Sequence, residues 1–116
     1  MNRRGFGTDG ELDARAWLAS KGMAPLAMNY RRRTGEIDII ARDGDTLVFI
    51  EVKRRTSLRY GRPAEAVTAA KRARIVATAA LYLQEKGIDD APVRFDVVEL
   101  TPGRVNHIEN AFMAGE

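Results

Sequence analysis

The stretch Gly35-Glu36-Ile37-Asp38-Ile39-Ile40-Ala41-Arg42-Asp43-Gly44-Asp45-Thr46-Leu47-Val48-Phe49-Ile50-Glu51-Val52-Lys53 decides how this chain is read. Two runs rich in Ile, Val and Phe, Glu36 to Arg42 and Thr46 to Lys53, have the character of strands. Asp43-Gly44-Asp45 between them is a hairpin signal. Each run plants charge in an apolar setting, which costs free energy unless the charge is paired or holds a metal. Acids and a lysine gathered on one sheet are what metal-assisted phosphodiester cleavage requires.

Strand side chains alternate faces, so Glu36, Asp38 and Ile40 share one face, and Leu47, Phe49, Glu51 and Lys53 share one. Whether the two faces coincide depends on the hairpin register. A two-residue Asp43-Gly44 turn sets Glu36 opposite Glu51, with Asp38 diagonal to it. A four-residue loop over 43–46 pairs Arg42 with Leu47 and sets Asp38 directly opposite Glu51. Both registers bring the acids within about 5–8 Å on one face. A three-residue loop without a bulge would separate them.

Two carboxylates that close repel each other. A divalent cation turns the repulsion into binding, and Mg²⁺ or Mn²⁺ suits carboxylate oxygens. Lys53 points the same way as Glu51 and is placed to orient a water or to stabilise charge on a phosphate. The same charges would also suit a solvated hairpin face with Glu51–Lys53 and Asp38–Arg pairs. The position of Glu51 after Leu47-Val48-Phe49-Ile50 favours an interior strand.

Outward from the hairpin, Thr8-Asp9-Gly10-Glu11 reads as a capping box opening a helix, with Thr8 as N-cap, and Gly22 closes that helix. Met23 to Arg33 is a strand ending in three arginines. Pro63 fits the first turn of a long helix that Gly87 ends. Val93 to Leu100 and Val105 to Ile108 are strands joined through Thr101-Pro102-Gly103. The expected order is α-β-β-β-α-β-β: a mixed five-stranded α/β sheet flanked by helices. Its third and fourth strands are parallel, because a helix joins them.

With 116 residues the chain suits a single domain, 1–116, able to bury a core without staples. There is no cysteine and only one histidine, His107, which excludes disulfides and thiol chemistry and disfavours a structural zinc site. No signal peptide or apolar run of membrane-spanning length stands out, so a cytoplasmic protein without a membrane partner is expected. The net charge is only +3, but between Arg31 and Arg74 twelve basic residues face six acids. Bases around an acidic centre suit a polyanion brought to a metal. Arg31, Arg32, Arg33, Arg54, Arg55 and Lys71 are the expected nucleic-acid contacts. A solvated basic surface would look similar. Tyr60 reads slightly better as packing than as a base stacker. His107 reads as structural, and Trp17, Phe49 and Phe95 as core.

The motifs extend over nearly the whole chain: Gly7-x-x-Gly10-Glu11 with Ala14 and Leu18, Asn29-Tyr30-Arg31, Gly35-Glu36-Ile37-Asp38, Phe49-Ile50-Glu51-Val52-Lys53, Gly61-x-Pro63, Ala66-Val67 with Lys71, Ala79-Ala80-x-Tyr82-Leu83, and Arg94-Phe95-Asp96-Val97-Val98. Together they resemble the YraN-like family of small bacterial proteins, grouped with Holliday-junction resolvases and restriction endonucleases in the PD-(D/E)XK nuclease superfamily. The resemblance implies a restriction-endonuclease-like fold and a Mg²⁺- or Mn²⁺-dependent endonuclease acting on DNA, including branched or damaged DNA. It implies Asp38, Glu51 and Lys53 as the catalytic trio, and Glu11 as an acid added to the metal pair Asp38 and Glu51. The superfamily's frequent proline before the first acid is Ile37 here. Resolvase-like relatives act as dimers, so a homodimer is compatible with the resemblance. The alternative is a nucleic-acid-binding module with this fold and no significant catalysis. A third class is an interaction protein whose basic face docks an acidic partner.

Overall fold

The computed structural model describes residues 6–54 and 67–114, with side chains from residue 13 onward. The order is α1 (Phe6–Ser20), β1 (Ala24–Arg32), β2 (Gly35–Asp43), β3 (Thr46–Arg54), α2 (Ala69–Glu85), β4 (Val93–Thr101) and β5 (Arg104–Phe112). The strands form one sheet in the order β1-β2-β3-β4-β5. All neighbours are antiparallel except β3 and β4, which run parallel as a helix-linked pair must. This is the expected mixed α/β architecture.

The hairpin takes the register in which Arg42 pairs with Leu47, closed by Asp43↔Thr46. Alternation along β3 then sends Leu47 and Phe49 to one face and Val48 and Ile50 to the other. The first face packs on Ile75, Ala79 and Tyr82 of α2, and the second on Ala14 and Leu18 of α1. On the α2 side Phe49 stacks on Phe95 at 5.7 Å and meets the edge of Tyr82 at 6.0 Å. Such aromatic pairs add to the area they bury.

Both helices stop at the expected glycines. After α2, the Gly87 N–H bonds the Gln84 carbonyl and the Ile88 N–H bonds that of Leu83; the turn needs a left-handed residue, and Gly87 has φ 67°. Gly22 closes α1 with the same pair of bonds, from itself to Ala19 and from Met23 to Leu18.

Three boundaries differ from expectation. Thr8 lies inside α1, which already runs from Phe6, so it is not the N-cap; packing of Ala14 and Leu18 outweighs the local capping pattern. α2 opens at Ala69, because the extended Thr68 is its N-cap and accepts from the Lys71 N–H at 3.2 Å. Pro63, expected in its first turn, lies outside the described residues. The last strand continues past Ile108 to Phe112 through a register shift opposite Asp96, where the left-handed Asn110 gives its N–H to the Asp96 carboxylate.

Candidate active site

The carboxyl ends of β1, β3 and β4 share one edge of the sheet, where α/β proteins usually place ligands. At that edge a pocket of about 220 Å³ is lined by Gly35, Glu36, Asp38, Glu51, Lys71, Arg74 and Ile75. Paired β2–β3 positions run from Asp43↔Thr46 to Ile39↔Ile50, and the next step sets Asp38 opposite Glu51. There the Asp38 carboxylate accepts the Val52 N–H at 2.7 Å.

The backbone is irregular at this point. Ile37 and Ile40 belong to the α2-side cluster and Ile39 to the α1-side cluster, although strict alternation would put Ile37 with Ile39. Across the ladder from Asp38, Asn29 has φ 55°, between the pairs Met28↔Ile39 and Tyr30↔Ile37. A left-handed residue, which asparagine tolerates, breaks the alternating order without inserting a residue. Tyr30 and Ile37, cross-strand partners, thereby both turn toward α2, and Asp38 is the residue that follows Ile37.

Glu51 is 5% exposed, so the solvated-face reading of this hairpin does not describe it. Its Oε2 lies 2.7 Å from Lys71 Nζ and 3.6 Å from Lys53 Nζ. Burial works to lower the Lys71 pKa, but the Glu51 hydrogen bond and the charges of Glu51 and Asp38 outweigh it and hold Lys71 above the ordinary lysine range. Lys71, expected on the nucleic-acid surface, thus sits inside the carboxylate pocket.

Several contacts hold α2 over this edge. A Cβ on Gly35 would stand 3.3 Å from Arg74 Cβ and Thr78 Oγ1, so the helix approaches the start of β2 closely. Thr34 and Thr78 share a hydrogen bond at 2.6 Å, and the Tyr30 hydroxyl donates to Glu85 at 2.7 Å.

Arg31, Arg32 and Arg33 are exposed at the β1–β2 turn. Arg31 pairs with Glu36 at 3.3 Å, and Arg32 is clamped on Glu85 through Nε and Nη2, both at 2.8 Å, with its guanidinium 4.1 Å from the Tyr30 ring centre. Arg54 pairs with Asp13 at 3.7 Å. Arg55 and Tyr60 lie outside the described residues. Glu11 lies on α1, and its side chain is outside them too. His107 packs against Asp96 at 2.7 Å, and Phe49 and Phe95 are buried.

Sequence reasoning passed over Gly35, Arg74 and Ile75 as pocket walls. Lys71, Arg74, Ile75 and Thr78 fall on one helical face, and that spacing was the available signal. It also passed over Glu99, fully buried and opposite Lys53 in the β3–β4 ladder, although Val97-Val98-Glu99-Leu100 carries mid-strand charge just as the hairpin does.

Among the described residues no group of three His, Cys, Asp or Glu side chains is close enough to hold a metal. Asp38 and Glu51, two of the three acids that line the pocket with Glu36, still fit Mg²⁺, which is commonly held by one or two carboxylates plus waters and substrate phosphate. Among the described residues no helix is long and apolar enough to cross a membrane.

Over residues 10–100 the chain matches the Uncharacterised protein family UPF0102. It is 50% identical to a UPF0102 protein of Symbiobacterium thermophilum, covering 98% of this chain and 100% of that one. It is 44% identical to a UPF0102 protein of Clostridioides difficile, over 97% and 100% of the two chains. Its fold is similar to that of Hjc from Archaeoglobus fulgidus, a Holliday junction resolvase, with a TM-score of 0.53 at 21% identity over 90% of this chain and 73% of that one. The chain belongs to the UPF0102 family, the YraN-like family its motifs resemble, and carries a resolvase-like fold.

Proposed function

We propose that this protein, as a single domain over residues 1–116, is a metal-dependent endonuclease that cleaves phosphodiester bonds in DNA, with branched or damaged DNA as its substrate class. The observation that carries the reading is the shared pocket of Asp38 and Glu51, with Lys53 Nζ 3.6 Å from Glu51. Asp38 and Glu51, with Glu11 as a third acid, would hold Mg²⁺ or Mn²⁺. The bound ion would supply an acidified water and neutralise charge on the phosphate. Lys53 positions that water or the scissile phosphate. Arg31 and Arg33, exposed at the same edge, Arg54 at the end of β3, and Arg55, the next residue in sequence, hold the backbone of the nucleic acid. No base-reading motif accompanies them. On this reading the protein works in the cytoplasm, and a homodimer would present two such pockets to the paired strands of a junction.

A DNA-binding module without catalysis is the second reading. It is favoured by the Lys71–Glu51 pair, which satisfies the buried acid with no metal at all.

A Mn²⁺-dependent cleavage assay on linear, flapped and four-way DNA separates the two. The nuclease reading expects cutting that disappears in Glu51→Gln and Asp38→Asn. Salt-dependent binding without cutting by the unaltered protein overturns it in favour of the module.

A further inference from the structure

Glu51 has two ammonium groups at one oxygen, where the proposed chemistry asks for one. Lys53 comes from the same strand and stands at 3.6 Å. Lys71 comes from the first turn of α2 and stands at 2.7 Å, the length of a charge-assisted hydrogen bond. The backbone at Lys71 is fixed by the Thr68 cap, and the helix by its close approach to Gly35. The side chain is only partly buried, so its flexible stem can carry the ammonium away while the helix stays in place.

A buried carboxylate needs a counter-charge. A dication on Glu51 and an ammonium at bonding distance from the same oxygen would repel each other. Both cannot hold Glu51 at full strength. A phosphate arriving at the pocket would offer Lys71 another anionic partner.

We propose that Lys71 is the resident counter-ion of the carboxylate pocket, holding Glu51 while no divalent cation is bound and passing to a substrate phosphate when one binds. This rests on the nuclease reading of the pocket. Metal and nucleic acid then favour each other's binding, because the metal frees Lys71 for a phosphate and the phosphate frees Glu51 for the metal.

The test is Mn²⁺ affinity of the full chain without DNA, by calorimetry, for the wild type, Lys71→Gln, Lys71→Arg and Arg74→Gln, with folding checked by thermal melting in chelator. Lys71→Gln should bind Mn²⁺ about fivefold more tightly, the free-energy scale of one ion pair. Lys71→Arg should stay near the wild-type value. Arg74→Gln removes a charge from the pocket wall but not from Glu51, and should change affinity much less. Equal tightening in Arg74→Gln and Lys71→Gln would reduce the effect to general field and overturn the proposal, as would unchanged or weaker binding in Lys71→Gln. If neither wild type nor Lys71→Gln binds Mn²⁺, the nuclease reading fails and this one with it; equal binding by both sinks this one alone.

Discussion

The carboxylate of Asp38 accepts a hydrogen bond from the backbone N–H of Val52 at 2.7 Å, and Val52 is the residue after Glu51. The first acid is thereby tied to the peptide unit beside the second. Their spacing is set by backbone rather than by two mobile side chains, which is the pre-organisation a cation site needs.

Asp38→Ala removes that tie and leaves the Val52 N–H without this acceptor, while relieving repulsion toward Glu51. The first effect is the larger, so a net loss of about 1 kcal/mol is expected in urea titration. Asp38→Asn keeps an acceptor oxygen and should recover most of the loss. Equal stability of Asp38→Ala and wild type would show that the bond has no net worth.

Gly35 has φ 151°, and a Cβ there meets Arg74 Cβ and Thr78 Oγ1 at 3.3 Å. Gly35→Ala therefore combines backbone strain with pressure on α2. A destabilisation of about 1–3 kcal/mol is expected from denaturant melts. The same variant should loosen the Lys71–Glu51 contact, because α2 carries Lys71.

Asp96 is 0% exposed and accepts from Arg94 at 3.0 and 3.1 Å and from the Asn110 N–H at 2.9 Å, with His107 at 2.7 Å. Burial works to raise its pKa, but these partners outweigh it and hold the carboxyl below its ordinary range. It pairs with Ile50, whose face is turned to α1, so it lies on the other side of the sheet from the pocket. Asp96→Asn removes the buried charge that Arg94 binds, while Asp43 still pairs with Arg94 at 3.1 Å, and should cost about 2 kcal/mol by chemical denaturation. Mn²⁺ affinity should not change, and a large change would mean that the two sites communicate.

The Arg32 clamp and the Tyr30 hydroxyl hold the Glu85 carboxyl down to about 2, from an ordinary 4.5. A depressed folded-state pKa stabilises above the unfolded value and loses that contribution as pH falls through the folded one. The contribution is complete above about pH 4.5 and fades toward pH 2. Glu85→Gln should lower the melting temperature at neutral pH and flatten its decline across that acid range. Parallel melting curves for the two proteins would contradict the assignment.

Much of this was legible from local pattern. Ile-, Val- and Phe-rich runs around Asp43-Gly44-Asp45 marked the hairpin, and glycines 22 and 87 marked the helix ends. Two alternative registers stood open, and the paired positions select Arg42↔Leu47. Local pattern misled where packing overrode it: Thr8 has the chemistry of a cap yet lies inside α1, and the last strand, read as Val105 to Ile108, runs on to Phe112 through a bulge whose Asn110 N–H serves Asp96.

By itself the sequence determined that two acids and a lysine occupy an interior hairpin, because period-two hydrophobicity and turn chemistry act between near neighbours along the chain. Only the tertiary structure decided that Asn29 reverses the alternation across from Asp38, that α2 comes down on Gly35, and that Lys71 reaches Glu51. Those outcomes depend on how a helix and a sheet fit across layers, where residues far apart in sequence meet through shape and charge rather than through spacing.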